Sequence, residues 1–145
     1  MNELMIPGYP TLGYGPLLYL PLAAPVFAPG TPITISCPVT SRSSGDVRTR
    51  VKVSIYEGSI WPGHGTKLKE YTSAEQLLSP GSLGVFTVAH TTVAGTIDRR
   101  DLGVEVQYWN GITWVSNGAW EGDDVYFVRA VEYAFEIGAP TVEAA

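Results

Sequence analysis

The chain has 145 residues, the length of one ordinary domain. With 45% hydrophobic residues it can bury a core, which excludes full disorder. Nine Lys and Arg against 14 Asp and Glu give a formal charge of -5, without the basic face that a dedicated nucleic-acid binder needs.

The first element is marked by missing charge. Across 38 positions, residues 4–41 contain no Asp, Glu, Lys, Arg or His. They hold eight of the eleven prolines: Pro7, Pro10, Pro16, Pro21, Pro25, Pro29, Pro32 and Pro38. A signal peptide opens on basic residues and needs an unbroken apolar segment. A spanning helix needs about 20 consecutive apolar residues. Here Glu3 is the only early charge, and Pro7, Pro10, Pro16 and Pro21 each interrupt a helix. The pattern predicts an extended, polyproline-like docking arm over residues 1–31. Its candidate interface residues are Leu12, Tyr14, Leu17, Leu18, Tyr19, Leu20, Leu22, Val26 and Phe27. A sandwich core already filled by its own strands has no room for all of them, and in water they would make the protein self-associate. About 30 extended residues reach on the order of 100 Å, well beyond the radius of so small a domain. Prolines stiffen the arm and lower the entropy lost on docking. The proline-free residues 17–20 suit addition to a neighbour's sheet edge.

After the arm the period becomes two. Ile33, Ile35, Cys37 and Val39 alternate with polar or proline positions, and Pro38 places this strand at a sheet edge. Val51, Val53 and Ile55 alternate with Arg50, Lys52 and Ser54, which puts one face in the core and one in water. A short strand is expected near residues 66–72, and residues 74–78 fit either a helical turn or more strand. Ser79, Pro80 and Gly81 mark a turn, and residues 85–90 the next strand. Asp98, Arg99, Arg100 and Asp101 read as a charged turn. Leu102, Val104, Val106 and Tyr108 then share one face up to Asn110-Gly111, a strong signal for a two-residue hairpin. Residues 112–116 return, and a second Asn-Gly at 117–118 ends that strand. In residues 124–137, Val125, Phe127, Val131, Tyr133, Phe135 and Ile137 share a phase. Fourteen residues are long for a strand, so part of this run is expected to bend or leave the body.

About seven short strands with turns between them predict a single antiparallel β-sandwich over residues 32–137, with a tail at 138–145. The order PITISCPVTSRSSGDVRTRVKVSIYEG, SPGSLGVFTVAH and DLGVEVQYWN resembles the immunoglobulin-like modules of the bacterial cell-adhesion-related (CARDB-like) type, across residues 32–128. The resemblance implies an Ig-like sandwich with a structural or adhesive role and no catalytic residues.

The residues themselves offer little catalytic chemistry. His64 and His90 lie apart, and neither has metal-ligand spacing. No nucleophile elbow, P-loop or dinucleotide fingerprint is present. Glu121, Asp123 and Asp124 lack the spacing of a calcium loop and read as a solvated turn. The single Cys37 can form no internal disulfide and reads as a buried, inert thiol. With an initial Met and no export signal, it favours assembly in a host cytoplasm. In the expected hairpin, Trp109, Ile112 and Trp114 share the outer face, either as a partner surface or ligand platform or covered within the monomer by the arm or the long C-terminal strand.

These readings converge on a non-enzymatic structural subunit of a large symmetric assembly. The first expectation is a virion accessory or decoration protein that cements a capsid. It would dock through its arm on further copies or on partners such as a major capsid protein. No catalytic residue, cofactor, metal, nucleic acid or membrane is expected. One alternative is a filament or pilus-like subunit joined by donor-strand exchange, against which the missing export signal counts. The other is a carbohydrate-binding module using exposed Trp residues, which would need no such arm.

Overall fold

The alternations in the sequence become strands in the computed structural model, which describes residues 24–58, 65–130 and 134–145. In chain order these are β1 (Val26–Phe27), β2 (Pro32–Thr40), β3 (Val47–Glu57), β4 (Lys67–Thr72), β5 (Gln76–Leu78), β6 (Leu83–Thr91), β7 (Arg99–Trp109) and β8 (Trp114–Val128). No helix occurs among the described residues, so the fold is all-β. One sheet has the order β1-β8-β7-β3-β4, with β5 also pairing β3, and β2 and β6 form a second sheet.

The core lies between the two sheets. Val51, Val53 and Ile55 on β3 are 0% exposed. The β3–β7 register sets them beside Val106, Val104 and Leu102, so two neighbouring strands present one apolar face. Cys37 on β2 and Phe86 and Val88 on β6 close that core from the other side. Burying a side chain of this kind contributes roughly 1.5–3 kcal/mol.

Several local expectations change. The large sheet is mixed rather than purely antiparallel, because β1 pairs parallel to β8, with Val26 opposite Phe127. The ordered sheet therefore begins within the stretch expected to be arm. The Phe127 amide donates to the Pro25 carbonyl at 2.9 Å, and Phe27 packs edge-on against Tyr126 with ring centroids 5.9 Å apart. Pro25 and Pro29 flank Val26 and Phe27 and restrict the ladder that this segment can form.

Asn110-Gly111 does not make a two-residue hairpin. The Asn110 amide donates to the Thr113 carbonyl at 3.1 Å, while Asn110 Oδ1 accepts from the Ile112 and Thr113 amides, each at 2.8 Å. The asparagine side chain thus organises a longer turn, and Trp109 pairs with Trp114 instead of Ile112.

Asn117-Gly118 does not end a strand either. Between Glu105 and Gln107 on β7, the partners on β8 move from Ala119 to Ser116, so β8 carries one extra residue. Gly118, at φ 103, absorbs this bulge and the strand continues. A second irregularity spans Arg100 to Leu102, opposite Tyr126 and Gly122. Here Asp124 adopts φ 52, and its amide donates to Asp101 Oδ1 at 2.8 Å.

These insertions change which side chains face inward. Tyr126 and Val128 are buried in the core, whereas the expected phase held Val125 and Phe127. Beyond Val128 no strand is formed among the described residues, and Phe135 and Ile137 are exposed. Arg99 and Arg100 open β7 rather than forming a turn. Arg100 is 1% exposed, and its guanidinium donates to the carbonyls of Ile97, Arg99 and Val93. A buried charge is tolerated there because its donors are satisfied.

Candidate assembly surfaces

The two sheets differ in width, and the mismatch leaves a groove. The second sheet has two strands, while the facing sheet continues past β3 through β7 and β8 to β1. Beside β2 lies an apolar cavity of about 610 Å³. Its floor is Leu102 and Val104 from β7 with Val125 and Tyr126 from β8. Ile33, Ile35 and Cys37 line the β2 wall, and Pro25 and Phe27 stand where the described chain begins. Trp120, 55% exposed, also lines it.

The polar groups of this groove are few. The Tyr126 hydroxyl is buried and has no hydrogen-bond partner among the described residues. Burial pushes that phenol up from its ordinary value. The Cys37 thiol is likewise raised by burial, which keeps it protonated and slow to react. Among the described residues no cluster of three or more His, Cys, Asp or Glu side chains could hold a metal. His90 is buried on β6 with Nδ1 2.7 Å from the Tyr71 hydroxyl. Burial, then Lys69 and Arg100, lower its pKa.

The second surface is the outer face of the large sheet. Trp109 and Trp114 both lie there, half-buried, with ring centroids 5.5 Å apart and planes tilted by 59°. Their faces carry cations from β3: Arg50 sits 4.1 Å from the centre of Trp114, and Arg48 5.3 Å from that of Trp109. Arg48 also donates to Glu75 at 2.7 Å. Arg50 donates to Gln107 at 2.7 Å, and Gln107 in turn to Glu105 at 2.8 Å. Ser116 also bonds Glu105, and these hydrogen bonds, that of Ser116 first, hold its carboxyl below the usual range. Ile112 stands apart in the turn, 84% exposed. The two tryptophans therefore form a cation-capped ladder, while the expected patch of three is divided.

Of the arm residues, Val26 is half exposed and Phe27 packs against the core. Leu12, Tyr14, Leu17, Leu18, Tyr19, Leu20 and Leu22 lie outside the described residues, as does His64. The groove itself was hidden from sequence reasoning, which counted strands but could not divide them between sheets. A signal did exist: Pro32 and Pro38 stand at equivalent phases of one strand and mark an edge. No described helix is long and apolar enough to cross a membrane. The chain matches no protein-family model and no curated protein.

Proposed function

We propose that this chain is a non-enzymatic structural subunit of a large symmetric assembly, docking on its neighbours through the N-terminal arm. The observation that carries this reading is a core closed by residues of the sheets themselves, with an apolar groove open where the arm joins. On this reading the apolar side chains of residues 12–22 are covered by other subunits. The particular assembly we favour is a virion, with the protein as an accessory or decoration subunit that cements a capsid and is assembled in the host cytoplasm. The body is then an Ig-like module of the CARDB-like type used as a scaffold. A filament joined by donor-strand exchange is the second reading, favoured by an edge of β2 that no described strand covers. The tilted, arginine-capped tryptophans lend no support to a sugar-binding platform, which needs accessible ring faces.

Removing residues 1–22 tests the reading while sparing β1. The truncated chain is expected to keep the β-type circular dichroism and cooperative unfolding of the full chain. It should also remain monomeric by light scattering at concentrations where the full chain associates. An unfolded product would place the arm in the core and overturn the docking role, as would undiminished association.

A further inference from the structure

We infer that the C-terminal segment of residues 134–137 is a second docking element, and that it adds as an antiparallel strand to the β4 edge of a second copy of this chain. The contact is short, so it forms between subunits that the arm already holds together, and to that extent it rests on the docking role of the arm.

The donor has the chemistry of a strand without a strand's partners. Phe135, Ile137 and Val142, at 89%, 92% and 96%, are the most exposed large apolar side chains among the described residues. Phe135 and Ile137 share one phase, Ala134 and Glu136 the other, and Gly138 and Pro140 end the run. No backbone hydrogen bond joins residues 134–145 to other described residues. Residues 131–145 carry Glu132, Glu136 and Glu143 and no Lys or Arg, which suits a basic acceptor.

The acceptor is a proline-free edge guarded by cations. β4 ends the broad sheet and pairs only with β3 among the described residues. The other edges are blunted: β2 by Pro32 and Pro38, β1 by Pro25 and Pro29, and β6 by the Gln76 side-chain amide, which donates to the Val85 carbonyl at 2.7 Å. The Ser73 amide donates to the Val51 carbonyl. By ladder alternation Lys69 and Tyr71 then bond β3, while Glu70 and Thr72 turn their backbone groups outward. Lysines on an edge discourage indiscriminate pairing. Glu70 is shared by Lys67 at 2.8 Å and Lys52 at 3.3 Å, and Lys69 makes no ion pair among the described residues. The edge therefore selects an acidic strand.

One register meets both demands. With Phe135 opposite Lys69, an antiparallel donor sets Ala134 opposite Glu70 and Glu136 beside Lys67. Phe135 then takes the inner side, the side of Lys69 and of its partner Ile55, which is 0% exposed. A shallow cavity of about 540 Å³ lies there, lined in part by Ile33, Tyr71, Ala89 and Val93. The chain's own tail is poorly placed for this seat. From β8 to the far side of β4 is four strand spacings, about 19 Å, close to the full reach of the chain between Val128 and Ala134. In the chain itself Phe135 and Ile137 stand clear of the body instead.

Disulfide trapping between differently tagged copies tests this in the full chain. Phe135→Cys mixed with Lys69→Cys is expected to give a linked heterodimer on mild oxidation, whereas the comparably exposed Ile112→Cys is not. Adding Glu136→Lys to the donor should cut the linked fraction about threefold, and Lys67→Glu in the acceptor should restore it. No heterodimer, or equal linking from Ile112→Cys, would overturn the inference. So would a double variant, Phe135→Cys with Lys69→Cys, that closes its disulfide within one monomer at the expense of linked dimers. Absence of the link while removal of residues 1–22 still abolishes association would overturn the tail contact and leave the docking arm standing. A link that persists when that removal leaves association undiminished would support the tail contact and overturn the arm.

Discussion

His90 shows how far a single side chain departs from its type. Histidine commonly titrates near neutrality in solvent. Here it lies in the sheet against Tyr71, and burial, Lys69 and Arg100 all disfavour its charged form. Its folded pKa is therefore below the ordinary 6.5. The unfolded chain binds the proton more readily, so this contribution to stability is complete above the unfolded value and is lost as pH falls below it. The urea midpoint should drop between pH 8 and pH 5, and His90→Gln should flatten that drop. Equal slopes in the two proteins would rule out His90 as the source. Glu57 and Glu105 act in a lower window: hydrogen bonds, led by those from Thr96 and Ser116, lower their pKa values. Their contribution is lost only as pH falls through the carboxylate range. The sequence marked His90 as a strand-end residue, but its bond to Tyr71 joins β6 to β4 across the two sheets, and no local pattern encodes that.

Strands were legible where alternation was unbroken. Val51, Val53 and Ile55 on β3, and Leu102 on β7, are buried as their period requires. β8 was misread because Asn117-Gly118 has a turn signature that a bulge can also use. Asp124 is the comparable position in the second irregularity, and it holds a left-handed backbone without being glycine. Asp124→Val should cost about 1–2 kcal/mol, since a β-branched side chain suits that conformation poorly. Asp124→Gly should stay within about 0.5 kcal/mol of the parent, because relief of strain offsets a long 3.5 Å contact to Arg99. Guanidinium titrations of both variants decide this, and equal losses would remove the backbone argument. Arg100 was misassigned for a related reason. Its neighbours Asp98 and Asp101 suggest a charged turn, whereas the carbonyls of Val93, Ile97 and Arg99, all in the segment just before it, accept hydrogen bonds from its guanidinium.

For the molecule as a whole, the distribution of charge has a measurable consequence. Residues 4–41 carry none, so association through the arm is expected to persist from low to high sodium chloride and to strengthen in sulfate. Light scattering over a salt series checks this; dissociation at high salt would point to ionic contacts between bodies instead. The sequence alone determined an uncharged, proline-interrupted N-terminal stretch, an all-β body and the core faces of β3 and β7, because composition and period are local properties of the chain. Tertiary structure decided the division into a broad sheet and a two-stranded one, the parallel seat of β1 and the groove beside β2. Those depend on which distant strands pair, and an alternating strand has the same local pattern whether its neighbour is β6, β8 or another chain.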